Sequence, residues 1–107
     1  MSQHTFSTTY RGRPTNVLMG WDRPLAQFFL VVEIDFLKDE YLYSNLNDPN
    51  SSAAGIDYFC KKLERLGINI PQNMINEIMQ DQICNRGNRT CVYQSDGSFT
   101  DSNFKGA

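Results

Sequence analysis

The feature that most constrains the fold is an apolar run over residues 25–35, with the sequence LAQFFLVVEID. It combines β-branched residues with two adjacent phenylalanines, and such side chains favour a pleated strand. A run of this length is too short to span a bilayer. It predicts a central β-strand with both faces largely covered, and an aspartate in place of Val31 is expected to prevent folding.

Shorter strand-like segments surround this run. Residues 5–10 and 15–19 flank a turn that contains Gly12 and Pro14, and this arrangement predicts an N-terminal hairpin. Residues 20–24 interrupt the pattern before the apolar run. Further strands are predicted at residues 41–46, which would form a second hairpin, and at residues 90–94.

The second half of the chain changes to a helical period. A first apolar stripe consists of Ile56, Phe59, Cys60, Leu63 and Leu66. This spacing predicts an amphipathic helix that is capped by Ser51 or Ser52 and ends at Gly67. A second stripe follows a first-turn proline, Pro71, and consists of Met74, Ile75, Ile78, Met79 and Ile83.

Together these segments predict an α+β fold, in which two α-helices pack on one face of an antiparallel four- to five-stranded sheet. Residues 1–94 are expected to form a single domain. Residues 95–107 are rich in small polar side chains, and we expect a flexible C-terminal tail unless Phe99 or Phe104 docks.

Composition excludes several classes of function. A net charge of −2 and a pI near 5.2 argue against general nucleic-acid binding. The three cysteines have no C-x-x-C spacing, and His4 is the single histidine, so no metal site and no cofactor are predicted. The N-terminus lacks a signal-peptide pattern, and we expect a cytoplasmic protein with reduced thiols and no membrane partner.

The first candidate binding residues are Trp21, Asp22 and Arg23, in the segment before the apolar run. An indole offers a flat apolar face, and a guanidinium offers a planar fork for a carboxylate or phosphate. The alternative is structural: Trp21 fills the edge of the core while Asp22 caps a turn.

Four further residues are candidates, each with a structural alternative. Arg86 and Arg89 follow the second helix, where they either bind an anion or favour the negative end of the helix dipole. Tyr41 and Tyr43 are predicted to lie on the same face of a strand, lining a ligand cavity or burying their rings. No second acid or histidine lies near Glu33 in the sequence, so general acid–base catalysis is unsupported.

Several blocks of sequence resemble a family of small bacterial accessory proteins with no known activity, encoded on plasmids, integrative elements or gene cassettes. The most specific block is GWDRPL at residues 20–25, and the resemblance covers roughly residues 10–93. The remaining blocks are Phe28-Phe29, residues 42–49, residues 66–68 and residues 85–89. The resemblance implies a bacterial, cytoplasmic origin and assigns no active-site residue.

Three functions compete. The first is a non-enzymatic module that binds a protein partner or itself through the strand edges of the N-terminal hairpin or the last strand. The second is a small-molecule binding protein with a cavity between sheet and helices. Its predicted lining consists of Trp21, Phe29, Tyr41, Tyr43, Met74 and Met79. The third and weakest is an enzyme that acts on an anionic substrate through the arginines and Asp22.

Overall fold

A computed structural model describes residues 1–34, 40–51 and 54–101 as one mixed sheet with two helices. The strands are β1 (Ser2–Tyr10), β2 (Arg13–Asp22), β3 (Gln27–Ile34), β4 (Glu40–Ser44), β5 (Arg89–Tyr93) and β6 (Phe99–Asp101). The helices are α1 (Ile56–Leu66) and α2 (Gln72–Ile83). Within the described residues the sheet has six strands in the order β4-β3-β2-β1-β5-β6. The α+β class is confirmed.

The N-terminal hairpin forms as predicted, but its strands are longer. Arg11 and Gly12 join β1 to β2 with φ angles of 53° and 80°, the left-handed values of a type I′ turn. β2 continues through Gly20, where we predicted a break. A Cβ at this position would collide with the backbone carbonyl of Ser2. Gly20 therefore permits the close approach of β1 and β2 instead of ending the strand.

The prediction of a purely antiparallel sheet is wrong at one pair. β5 runs parallel to β1, with Ser2 opposite Arg89 and Phe6 opposite Tyr93. Short turns make successive strands antiparallel, whereas the chain reaches β5 from β4 through both helices. A crossover of this length allows the parallel direction, and it places β5 beside the first strand of the chain.

The sheet also has more strands than predicted, because it extends past residue 94. β6 pairs with β5 in antiparallel register, and Phe99 stacks on Tyr93 with ring centroids 4.8 Å apart. Phe99 thus docks, which was the stated exception to a flexible tail, and part of the predicted tail joins the sheet. Phe104 and its neighbours, residues 102–107, lie outside the described residues.

The apolar run contains β3, which lies between β2 and the edge strand β4 instead of at the centre of the sheet. Phe28, Leu30 and Val32 are buried on the helix-covered face. On the other face Phe29 is buried and Val31 is half-buried, so that face is covered less completely than the helix side.

Both helices pack on the same face of the sheet. Phe59 and Leu63 of α1 and Met74 and Ile78 of α2 join one core with the alternate residues of β1, β2 and β3. Gly67 ends α1 with φ 74° as predicted. The N-cap is Gly55 and not Ser51, which hydrogen-bonds to loop carbonyls instead, while Ser52 lies outside the described residues.

The second helix buries a narrower stripe than predicted. Met79 and Ile83 are exposed, whereas Asp81 is completely buried. Pro71 occupies the N-cap position just before the helix. The buried side of α2 therefore carries a carboxylate toward β1 and β5.

Candidate functional site

The Trp21 segment and the segment after α2 are neighbours. Trp21 is 6% exposed and makes an edge contact with Phe28 at 5.1 Å between centroids. Its indole N–H donates to Oδ1 of Asn85 at 3.1 Å. Asn85 has a left-handed φ of 49°, which turns the chain at the end of α2. Trp21 thus joins the core to this turn.

The two residues after Trp21 do not form a recognition pocket with it. Oδ1 of Asp22 accepts a hydrogen bond from the backbone N–H of Leu25 at 3.3 Å, which closes the turn between β2 and β3. Arg23 is exposed and its guanidinium lies against the backbone of Gly87, since a Cβ there would be 3.2 Å from Nη1. The geometry matches the structural alternative for Trp21 and Asp22.

Arg89 is buried in an ionic cluster and is fully paired. Its guanidinium donates to Asp81 at 2.7 Å, to Glu77 at 2.7 Å and to Asp101 at 3.0 Å. Burial alone would lower the pKa of Arg89, but the three carboxylates raise it above its usual range. Its charge is therefore neutralised within the fold and is not offered to an external anion.

Asp81 is the centre of this cluster. Burial alone would raise the pKa of Asp81, but hydrogen bonds from His4, Ser2 and Arg89 lower it below its usual value. Arg86 adds a longer contact at 3.4 Å. The two arginines thus meet at one carboxylate, as structural partners, while Arg23 points to Gly87 nearby.

His4 completes the cluster from the first strand. Nε2 of His4 lies 2.6 Å from Asp81, and Nδ1 lies 2.8 Å from the hydroxyl of Tyr93. An imidazole protonated on Nε2 donates to the carboxylate and accepts from the hydroxyl, which satisfies both groups. Burial raises the pKa of Tyr93 above its usual range, so the phenol keeps its proton.

The cluster contains the residue types of an acid–base catalytic site, but its histidine and aspartate are not exposed. His4 and Asp81 both have no exposed surface, and a general base must reach the proton that it abstracts. Within the described residues, no group of three or more His, Cys, Asp or Glu side chains fits a metal ion. This cluster therefore fastens β1 and β5 to α2.

Sequence reasoning missed His4 and Asp81. His4 entered the sequence analysis only as the single histidine, yet it alternates with Ser2 and Phe6 on one face of a strand. Asp81 follows Met74 and Ile78 at i+7 and i+3, on the apolar stripe of its helix. A carboxylate on an apolar stripe was the available signal for a buried ion pair.

A second polar cluster holds the loop after β4 against α1. Oδ2 of Asp48 accepts from the hydroxyls of Tyr43 and Tyr58, each at 2.7 Å. The ammonium of Lys62 lies 4.0 Å from the same oxygen and packs over both rings. The two phenol hydrogen bonds lower the pKa of Asp48. The donors and the acceptor satisfy one another.

The prediction that Tyr41 and Tyr43 share a face is wrong. A bulge between β3 and β4 places Tyr43 opposite Val32, on the core side, and Tyr41 opposite Glu33 on the other side. The extra residue in β4 breaks the two-residue alternation. Tyr41 is 53% exposed and Tyr43 is half-buried.

The lining predicted for a small-molecule cavity is not assembled. Phe29 and Tyr41 belong to the side away from the helices, and Met79 is exposed. Between sheet and helices, the space near Trp21 and Met74 is filled by large side chains with less than 2% exposure. These include Phe59, Met19, Leu30 and Ile78.

The cysteines differ in environment. Cys91 is buried, and burial raises the pKa of its thiol to about 11. Cys60 is half-buried, with a pKa raised by burial. Cys84 is exposed at the end of α2. All three are free thiols.

The sheet face away from the helices has no described element packed upon it, and we call it the open face. Its side chains are Gln3, Thr5, Ser7, Asn16, Leu18, Phe29, Val31, Glu33, Thr90 and Val92. Strand register places Val92, Thr5, Leu18 and Val31 in one row across four strands. Phe29 lies over Gly20 on the same face.

Comparison of the chain with protein-family models, with curated proteins and with solved structures finds no match. Among the described residues, no helix is both long enough and apolar enough to cross a membrane.

Proposed function

We propose that the protein is a non-enzymatic association module that pairs with a second copy of itself through the open face. The observation that carries this proposal is the row of Val92, Thr5, Leu18 and Val31, which crosses four strands without a charged side chain. The charged residues of the open face, Glu33 and Asp22 at the rim, lie outside this row. Depletion of charged residues marks the centre of protein interfaces.

The centre of the open face is apolar and its margin is polar. Leu18 and Val31 are adjacent in register and half-buried, and Val92 is 45% exposed at the end of their row. Around them lie uncharged polar side chains of β1 and β5, such as Gln3 and Thr90. An apolar centre within a polar margin is the usual anatomy of an interface.

The low charge favours a second copy over a partner of opposite sign. Because no side chain of the row from Val92 to Val31 is charged, this row can lie against its own copy without repulsion, and a two-fold interface must be self-complementary. Face-to-face packing of sheets about 10 Å apart provides a known geometry.

The size of the face suits a dimer. The six strands contain 40 residues in all, and at about 3.3 Å per residue and about 4.8 Å between strands they present roughly 600 Å². A standard interface buries about 800 Å² per partner. The open face therefore lies at the low end of specific interfaces, which suits a weak, concentration-dependent pairing.

The proposal differs from the sequence hypothesis in the surface used. We expected partners at the edges of the N-terminal hairpin or the last predicted strand, but β1, β2 and β5 each have neighbours on both sides. The edge strands of the described sheet are β4 and β6. The face, and not those predicted edges, is the surface that we propose for pairing.

Light scattering coupled to size exclusion tests this proposal across a concentration series. We expect the mass to rise from monomer toward dimer with increasing concentration. Val92→Lys should hold the protein at the monomer mass, because it would place an unpaired ammonium against the apolar row of the second copy, while circular dichroism stays unchanged.

Ile83→Lys is the matched control, because Ile83 is 70% exposed on α2, in the other layer. It should dimerise like the unmodified protein. A strict monomer at all concentrations would contradict the proposal, as would equal loss of dimer in the two lysine variants.

A further inference from the structure

We infer that the two-fold axis of the proposed pair runs along the strands, between β1 and β2, and that Glu33 of each copy contacts Gln94 of the other. This inference rests on the proposed pairing through the open face. It assigns which positions of the two copies meet, and it gives Gln94 the role of receiving the carboxylate of Glu33.

The centre of the described sheet lies between β1 and β2, which are the two middle strands in the order β4-β3-β2-β1-β5-β6. The apolar row from Val92 to Val31 has the same midpoint, because it crosses β5, β1, β2 and β3. A two-fold axis at this midpoint covers the largest part of the row with its own copy.

Two directions of the axis place the whole row against the row of the second copy. An axis along the strands exchanges the ends of the row, so that Val31 meets Val92 and Leu18 meets Thr5. An axis along the row leaves each strand over its own copy, so that Val31 meets Val31 and Val92 meets Val92. Both directions keep the strands of the two sheets nearly aligned, which is a common arrangement of stacked sheets.

The charged side chains that distinguish the two directions lie on one half of the open face. Glu33 and Asp22 belong to β3 and β2, on opposite sides of the apolar row. The open-face side chains of β1 and β5 are uncharged, and they are Gln3, Thr5, Ser7, Thr90 and Val92. An axis along the strands places the acidic half of each copy over the neutral half of the other.

The position that this axis assigns to Glu33 carries an amide. Gln94 is exposed and follows Tyr93, which is opposite Phe6 in the parallel pair of β5 and β1. Alternation with Val92 places the side chain of Gln94 on the open face. The register across β1 and β2 leads from Gln94 to Glu33 on β3. The axis therefore brings Gln94 of the second copy over Glu33, where its amide N–H can donate to the carboxylate.

The axis along the row gives Glu33 an apolar neighbour instead. It would place Glu33 over Phe29 of the second copy, because these two residues lie two positions on either side of Val31 in β3. A phenyl ring accepts no charge and donates no hydrogen bond to a carboxylate, and an unpaired charge is costly to bury. The axis along the strands avoids this cost.

The angle between stacked sheets does not disturb the assigned contacts. Val31 and Val92 are separated by three strand spacings, so each lies about 7 Å from the axis at about 4.8 Å per spacing. An angle of about 30° between the sheets shifts opposed positions at this radius by about 4 Å, roughly one residue along a strand. Glutamine, glutamate and lysine side chains are long enough to cover this shift.

Two mixtures of charge variants distinguish the two directions by light scattering coupled to size exclusion. Val31→Asp and Val92→Lys should each weaken the pairing when studied alone. Their equimolar mixture should pair about tenfold or more tightly than either variant, because an axis along the strands places the new carboxylate over the new ammonium. The matched control is a mixture of Val92→Lys with Val92→Asp, which should remain at the monomer mass.

Gln94 provides a second test that introduces no charge into the apolar row. Gln94→Lys should tighten the pairing of the full chain by about threefold or more, because the ammonium would meet Glu33. Gln94→Glu should weaken the pairing by a similar factor, since two carboxylates would then meet. The gain from Gln94→Lys should disappear when it is combined with Glu33→Gln.

The outcomes separate this inference from the pairing on which it rests. If the unmodified protein pairs but the control mixture is the one restored, or neither mixture is, the axis does not run along the strands. A Gln94→Lys variant that pairs no more tightly than the unmodified protein would also overturn the inference. A monomer at all concentrations would instead contradict the proposed pairing, and the inference would be wrong with it.

Discussion

The two faces of the sheet differ in where they place charged side chains, although the same strands form both. On the helix side, charged side chains are buried. Arg89 is surrounded by three carboxylates near His4. On the open face, where water would solvate charge readily, Glu33 is the only ionised group among the residues that define the face. The helix side contains a closed polar network and the open face a nearly neutral surface.

This contrast separates structural from associative roles. Every polar group of the Asp81 cluster has partners within the chain, and no buried side-chain nitrogen or oxygen among the described residues lacks a hydrogen bond. A satisfied network fixes the packing and has no capacity left for a ligand. The apolar centre of the open face is only partly covered. Its burial against a second copy would therefore contribute favourable free energy to pairing.

The largest expected effect comes from placing the same charge on each face. Val32→Asp should unfold the protein or cost about 3–5 kcal/mol, because Val32 is fully buried under the helices and a carboxylate there has no partner. Val31→Asp should cost about 1 kcal/mol, since Val31 is half-buried on the open face. Urea unfolding of the two variants gives both values.

This pair revises the expectation that an aspartate at Val31 prevents folding. The same variant should also weaken the proposed dimer, because the charge would lie at the centre of the paired faces. Equal destabilisation by the two aspartates would mean that both faces are equally buried, and the proposed difference between the two faces would be wrong.

The next effect concerns the closed network. Arg89→Met should lower the free energy of unfolding by about 3–5 kcal/mol, because it leaves the buried Asp81 without its strongest partner. Arg65→Met, on the exposed side of α1, should change stability by about 0.5 kcal/mol or less. If the two variants unfold at the same denaturant concentration, the ionic cluster contributes no stability.

The pH dependence of Asp81 gives a smaller, directional effect. Its folded-state pKa is lower than the unfolded value, so the stabilisation is present above about pH 4 and is lost as the pH falls through the folded pKa. Asp81→Asn should therefore be less stable than the unmodified protein at pH 7. The difference should shrink below about pH 4, measured by urea unfolding at several pH values.

Asp48 and Asp96 also have lowered pKa values, but they are present in both proteins and cancel in the difference. A stability difference that stays constant from pH 7 to pH 3 would show that the carboxylate of Asp81 contributes packing and not charge.

Much of the fold could be predicted because its signals are local. The helical period ending at Gly67 and the turn at Gly12 each depend on residues close together in the sequence, and both are present in the structure. The parallel pairing of β5 with β1 could not be predicted, since it depends on the path of a helical crossover. Strand order is a property of the whole chain.

The candidate site was harder to predict for the same reason. Trp21 and Asn85 are far apart in sequence, and only the assembled sheet brings their side chains into contact. The candidate arginines drew attention through their charge, yet two of them meet Asp81, whose buried position was not recognised. The sequence shows that the arginines are charged, but only the folded structure shows that Asp81 neutralises them.

The smallest effect contrasts the two tyrosines that the bulge in β4 directs to opposite sides. Tyr43→Phe removes the hydroxyl that donates to Asp48 and should lower the melting temperature by roughly 4–8 °C, the shift expected for one ordinary hydrogen bond in a domain of this size. Tyr41→Phe should leave the melting temperature nearly unchanged, because Tyr41 is 53% exposed. The two substitutions are chemically identical, two residues apart on one strand, and differ only in the side that they face. Equal shifts would imply that the two rings share one environment, and the separation of the two faces at β4 would have to be abandoned.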